Sequence, residues 1–454
     1  MEELSRSSAQ DIHATRREML RAIFRETLEA IDVRAIFTNA IRCEHGLLHA
    51  ADLQYSLSDF RLVLVIAIGK AAVPSAEVVL DKLTRATQAV EAIVVGPGEM
   101  RSVSCPVEHL YGGHPAPNAA SFEAARQIIK KLKGTGADDL VIFLISGGAS
   151  SMVELPLDPM LTLDDLAEFY RTLVHSGLSI AEMNTLRKHL SAVKGGRLAE
   201  LATEATKCTL LISDVPPGMS DVIGSGPSLP DSSTREQCWA LLRRPELANK
   251  LPERVRILLE SPALSETPKP DAKCFRHAQS RVLLSSDVML AAAWRACEQR
   301  GFEVFIDNTC DEWEYQAAAD YLLERISALA EQHPRVCLLS AGEVLVHVGS
   351  HPGTGGRNQQ FALYCATKLD ALPIDITVLS TGTDGVDGNS PAAGALADRT
   401  TLERANDAGL ESARALASFN AHPFFAAIGD SIETGPTGNN VRDLRILTAE
   451  RTIS

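Results

Sequence analysis

The chain has 454 residues, 45% of them hydrophobic and 22% charged, with a formal net charge of −14. That length exceeds what one hydrophobic core usually serves, so two domains are expected, and the ordinary balance excludes wholesale disorder. The acidic surplus argues against a general nucleic-acid or membrane-surface binder, although a local cluster of donors could still hold an anion. The nine cysteines, from Cys43 to Cys365, never fall at C-x-x-C spacing. Neither a zinc site nor a disulfide framework is written there, which fits a reducing compartment. The longest wholly apolar run, Leu62 to Ile68, is too short to cross a bilayer, and the opening residues show no secretory pattern. A soluble, cytoplasmic protein is the expectation.

Residues 1 to about 12 read as a loose tail. From Ala14, Met19, Ile23, Phe24, Leu28 and Ile31 recur at helical spacing and predict an amphipathic helix. Short apolar runs at Leu62–Ile68, Ala92–Val95, Leu140–Ile145 and Thr209–Ile212 then alternate with helical stretches. That alternation predicts βαβ units and a largely parallel, buried sheet. The stretch 242–280, rich in charge and proline, reads as helix plus linker. It places a boundary between a domain over 1–265 and another over 275–454.

The second domain reads as a further α/β block. Its strands are expected at Val282–Leu284, Glu303–Ile306, Val336–Leu339, Val344–Val348, Ile376–Leu379 and Leu444–Leu447. Helices are expected over Val288–Arg300 and Tyr315–Gln332. Five predicted strands end in a serine: Ser146, Ser213, Ser285, Ser340 and Ser380. Open α/β sheets bind ligands beyond the carboxyl ends of their strands, so these positions are suggestive, although a serine there can simply start a turn.

Six segments could carry chemistry. Gly69-Lys70 stands at a strand-to-helix turn without P-loop spacing, and a cation there is unfavourable unless an anion is near. Ser146-Gly147-Gly148-Ala149-Ser150 offers a nest of backbone N–H groups for an anion. Asp214 follows a strand and suits a magnesium ligand or an acid/base group, or else a turn aspartate bonding its own backbone. Gly353-Thr-Gly355-Gly356-Arg357-Asn358 couples a glycine-dense loop to a guanidinium at a predicted helix start. Asp384 and Asp387 form a carboxylate pair open to magnesium or ribose. The basic stretch from Asn184 through Lys194 to Arg197 is either a solvated helix face or one wall of a binding site.

Together with Gly112–Asn118 and Thr434–Leu444, these segments resemble the type II glycerate kinases, whose carboxyl-terminal part is the MOFRL domain. The matching stretches run in order over nearly the whole chain. Departures occur at Ala341, Val344, Leu345 and Asn439, and none touches Lys70, Asp214 or Arg357. The resemblance implies an α/β fold of two domains, a larger N-terminal Rossmann-like doubly wound one and a smaller C-terminal α/β one, with the site in the cleft between them. It implies transfer of the γ-phosphoryl group of ATP, with Mg²⁺, to D-glycerate, giving 2-phosphoglycerate and ADP.

On that basis Lys70, Arg357 and Asp214 are the catalytic candidates. Ser146, Gly147, Gly148, Ser150, Lys194, Gly355, Gly356 and Asn358 are expected to bind substrate or phosphate. Asp384 and Asp387 are expected to serve metal or nucleotide. D-glycerate and ATP would be the partners, with no nucleic acid or membrane, and a homodimer is left open. Two other readings stand beside this one. An NAD(P)H-dependent hydroxypyruvate reductase would need a G-x-G-x-x-G fingerprint, which is absent. A non-catalytic sensor of acidic metabolites would need no paired carboxylates or second-domain arginine.

Overall fold

In the computed structural model, residues 2–216, 218–247, 250–349 and 352–451 are described. They form two compact units, one of residues 33–285 and one of residues 1–32 with 286–454. The expected break between 265 and 275 therefore falls inside the first unit, which the chain leaves only after Ser285. The amino-terminal helix, Glu2–Ala30, already begins within the stretch read as a tail. It belongs to the second unit because its stripe of Leu20, Ile23 and Phe24 is buried there. Arg16 and Arg17 add ion pairs to Asp375 and Asp398.

The first unit opens with a small antiparallel sheet of β1 (Ile41–Glu44), β2 (Leu47–Ala50) and β3 (Leu53–Ser56). Its main sheet comprises β4 (Leu62–Ile68), β5 (Val90–Val95), β6 (Val107–Leu110), β7 (Asp139–Ile145), β8 (Thr206–Ile212) and β9 (Ala278–Leu284). The order is β6-β5-β4-β7-β8-β9, with every neighbouring pair parallel. β4 and β7 are apolar along nearly their whole length because helices cover both faces, as a parallel sheet requires. Strand order reverses between them, and crevices for ligands open at such a switch point.

β9, assigned from sequence to the second domain, is the edge of this sheet. The supposed linker also folds, as the helix Glu253–Glu260. That helix joins Leu163–Val174, Ile180–Leu190 and Arg235–Leu242 around Leu166, Phe169, Leu186, Leu241 and Val255. Thr162, Ser179 and Thr234 start those last three helices with capping boxes.

The second unit carries β10 (Glu303–Ile306), β11 (Arg335–Ala341), β12 (Ile376–Gly382), β13 (Gly394–Ala397), β14 (Ser431–Ile432) and β15 (Asp443–Glu450). Their order is β10-β11-β15-β12-β13-β14. Only β10 and β11 pair in parallel, and β15 runs antiparallel to both β11 and β12. Helices Tyr315–Gln332 and Arg357–Leu369 close the core through Leu322, Ile326, Phe361 and Cys365.

No strand forms at Val344–Val348; Leu345 makes a single bridge to Glu314. β11 stops because Gly342, at φ +121°, turns the chain off the sheet. Ser340 and Ser380 lie inside β11 and β12, whereas Ser146, Ser213 and Ser285 directly follow their strands.

Candidate functional site

At the switch point of the first unit, two turns are laced together. Gly69 follows β4 at φ +121°, and a Cβ there would run into the Ser146 hydroxyl and carbonyl. The Lys70 N–H donates to the Gly147 carbonyl at 2.9 Å, and the Ala71 N–H to Ser146 Oγ at 3.1 Å. A Cβ on Gly147 would strike the Asp214 carboxylate, so that acid stands directly against the glycine turn. Gly148, at φ +85°, starts the short helix Ala149–Met152. A Cβ there would lie 3.3 Å from Lys70 Cγ and 3.5 Å from His114 Nδ1. Ser150 Oγ lies 2.9 Å from Ser225 Oγ. Lys70, Ser146, Gly147, Gly148, Ser150 and Asp214 are thus gathered at the carboxyl ends of β4, β7 and β8. Lys70 is half-buried, and among the described residues no carboxylate pairs with its ammonium.

Lys194 does not join them. Its side chain is 1% exposed and is paired with Glu154, which also accepts from the Tyr170 and Ser191 hydroxyls. Burial pulls the Lys194 ammonium below its ordinary range, against the opposing pull of Glu154. Burial, reinforced by Glu154, pushes Tyr170 far up. The neighbouring cations also turn inward. Lys188 pairs with Asp231 at 2.9 Å, and Arg187 stacks 5.0 Å from the Tyr170 ring centre. The basic stretch is a set of internal struts, because its helix is enclosed by the helical cluster.

In the second unit Arg357 opens the helix Arg357–Leu369 behind the Gly353–Gly356 loop, with Gly356 as its cap. The guanidinium is already engaged. Its Nε donates to Asp443 Oδ2 at 2.5 Å and its Nη2 to Asp443 Oδ1 at 3.1 Å, while Glu343 lies 2.8 Å from Nη2. Burial works against the Arg357 charge, but Asp443 and Glu343 outweigh it and raise the pKa. Burial and Asp443 raise Glu343.

Asp387 already serves as an acceptor at the start of the Arg357 helix. It is 2% exposed. Its two carboxylate oxygens accept from the N–H groups of Asn358 and Gln359, at 3.0 and 2.8 Å. The chain's own carboxylate therefore occupies the amide end expected to hold a substrate anion, while Asn358 and Asp387 both line the cavity in front of it. Burial pushes Asp387 up to about 7. Asp384 remains half-exposed, and a Cβ on Gly382 would sit 3.1 Å from its Oδ1 and 3.4 Å from that of Asp443. Gly355, Gly356, Arg357, Asp384 and Val386 all line a cavity of about 660 Å³. Among the described residues, no three carboxylates, histidines or cysteines come together as a metal cage.

The chain is similar to known proteins over most of its length. A family model described as a domain of unknown function (DUF4147) matches residues 19–260, and one described as the MOFRL family matches residues 336–443. A glycerate 2-kinase of Pyrococcus horikoshii is 30% identical over 94% of this chain and 96% of its own. The chain belongs to the type II glycerate kinase family. Within that family, the D-glycerate 2-kinase of Thermotoga maritima is 33% identical over 85% of this chain and 90% of its own. A crystal structure of glycerate kinase from Thermotoga maritima superposes with a TM-score of 0.81 at 29% identity, covering 96% of this chain and all of that one. An Agrobacterium vitis protein provisionally named hydroxypyruvate reductase is 38% identical over 75% of this chain and 77% of its own.

Sequence reasoning missed three groups that shape this family member's site. Asp443 begins an apolar strand, where the carboxyl-end rule does not look. Because β15 runs antiparallel, its first residue stands opposite Gly382 at the end of β12. Glu343 follows the Gly342 turn, a signal legible only once that glycine's conformation is known. His114 lies in the matched Gly112–Asn118 segment but had no assigned role.

Proposed function

We propose that this chain is an ATP-dependent glycerate 2-kinase, moving the γ-phosphoryl group of ATP to the 2-hydroxyl of D-glycerate with Mg²⁺. The names of its relatives support this reading, and one local observation carries it. A lysine without a carboxylate partner among the described residues stands beside two glycine turns at the switch point of a parallel sheet. A cation at a helix start is unfavourable unless an anion arrives, and bare amides beside it suit phosphate oxygens.

Phosphoryl transfer needs positioning and charge stabilisation more than covalent help. Lys70 would neutralise the transferring group, while Ser146, Gly147 and Gly148 position its oxygens. Arg357 would hold phosphate or the glycerate carboxylate through whatever donors Asp443 and Glu343 leave unused. When bound, Mg²⁺ would supply charge neutralisation on the phosphates, and such ions often bind through one or two carboxylates plus phosphate oxygens. Asp214 and Asp384 are each a carboxylate of the kind that would hold it. The buried free thiols agree with work in a reducing cytoplasm.

The reductase reading draws on the Agrobacterium vitis name and on the strand order, which is that of dinucleotide-binding sheets. Against it, the first turn carries Gly69-Lys70 in place of a glycine fingerprint. Phosphorus NMR of the product from ATP, Mg²⁺ and D-glycerate decides reaction and regiochemistry together. A 2-phosphoglycerate resonance is expected. NADH consumption with hydroxypyruvate and no ADP release would favour the reductase.

A further inference from the structure

The loop Gly112–Asn118 has no place in the roles given so far, yet both ends are pinned. A Cβ on Gly112 would collide with the Met152 backbone, and the Gly113 N–H donates to Ser121 Oγ at 2.9 Å. Asn118 caps the helix Ala119–Leu132. The loop is thereby held against the short helix that follows the glycine nest. His114 sits at its tip, with Nδ1 3.1 Å from Ser151 Oγ.

The hydrogen-bond inventory selects a tautomer. The Ser151 hydroxyl has one hydrogen, and its oxygen lies 3.1 Å from the Gly148 carbonyl, a group that can only accept. With that hydrogen given to the carbonyl, Nδ1–H must be the donor to Ser151 Oγ. Nε2 then carries the lone pair. Burial, and secondly the Lys70 charge, hold the imidazole below its ordinary range and so neutral at physiological pH. Lys70 is the charged group flanking His114 across Gly148, and Asp214 stands behind Gly147.

We propose that His114 Nε2 accepts the proton of the substrate hydroxyl during phosphoryl transfer, a role that rests on the glycerate kinase reading. The hydroxyl oxygen bonds to the γ-phosphorus and the bond from that phosphorus to the β,γ-bridging oxygen breaks. The electron pair leaves with ADP. The proton passes to Nε2 and from there to water, since the residue is only partly covered. Asp214 would then orient the hydroxyl or meet the metal.

The test is the full-length protein with ATP, Mg²⁺ and D-glycerate, with kcat and KM followed between pH 5 and 9. His114→Asn keeps a polar side chain but no base. It should lose about 100-fold in kcat with KM within about threefold, and the acid limb of the wild-type profile should vanish. Added imidazole should restore part of the turnover of His114→Ala. Ser151→Ala keeps the ring but frees its tautomer, and should lose less kcat while retaining the acid limb. It also decides the matter if the His114 variants fail to fold. Unchanged kcat in His114→Asn, a loss confined to KM, a persisting acid limb or an unaffected Ser151→Ala would each overturn the proposal while leaving the kinase reading intact. Wild-type protein that fails to phosphorylate D-glycerate would bring down both.

Discussion

Two glycine-rich turns, each with one cation at a helix start, look alike as text and differ as chemistry. In the first unit Lys70 stands beside the glycine turns without a carboxylate partner among the described residues, as the proposed anion site requires. In the second unit Arg357 is clasped by Asp443 and Glu343, and Asp387 occupies the amide end of its helix. A cation left open is costly in the free protein and is best explained by a ligand. A cation already neutralised is a strut first, and it can serve a substrate only through its remaining donors. The two sites should therefore separate activity from stability in opposite ways.

The largest effect should come from Lys70→Met. Turnover should fall by about a thousandfold or more, the range for removing a key charge in phosphoryl transfer. The melting temperature should hardly move, because no ion pair among the described residues is broken. Near-normal turnover would refute the assignment. Lys194→Met is the counter-case, since that ammonium is sealed against Glu154. Removing one partner of a buried pair should cost about 3–5 kcal/mol in denaturant titrations. The folded fraction should keep its KM for D-glycerate; a raised KM with unchanged stability would return Lys194 to substrate binding.

That contrast marks what the sequence could and could not disclose. Leu62–Ile68, Leu140–Ile145 and the helix Tyr315–Gln332 were legible because local periodicity and burial agree there. β9 and the amino-terminal helix were misplaced because membership of a unit depends on distant partners, such as Asp375 and Asp398 for Arg16 and Arg17. The tight turn at Ser146–Gly148 was legible, as paired glycines beside a strand end mark a close backbone approach. The fates of Lys194, Asn358 and Asp387 were hidden, because nothing in their neighbourhood announces Glu154 or a helix whose amides already have an acceptor.

Arg357→Ala tests the second site on both axes at once. Its side chain is 36% exposed, which discounts the buried-pair figure. Leaving Asp443 and Glu343 facing each other should still cost about 2 kcal/mol of stability. Turnover should drop too if a remaining donor reaches the substrate. Arg357→Lys, with one charge and no fork, should recover more stability than activity. Full activity in a destabilised Arg357→Ala would make the residue a strut alone.

The smallest effect, and the sharpest on the nature of the strut, concerns Asp387→Asn. Exchanging one cap acceptor for an amide should cost about 1 kcal/mol at fixed pH. The pH dependence carries more information. In the unfolded chain this carboxyl titrates near 4, whereas burial pushes it up to about 7 in the fold. Between those values the folded state binds a proton that the unfolded state has released, so stability contributed by Asp387 falls as pH rises through that window. Denaturant midpoints of wild type and variant, compared at pH 4.5 and 7.5, should show the variant gaining ground at the higher pH. If the wild type gains instead, the helix amides outweigh burial and Asp387 works as a charged cap, as favourable to its helix as Asp443 is to Arg357.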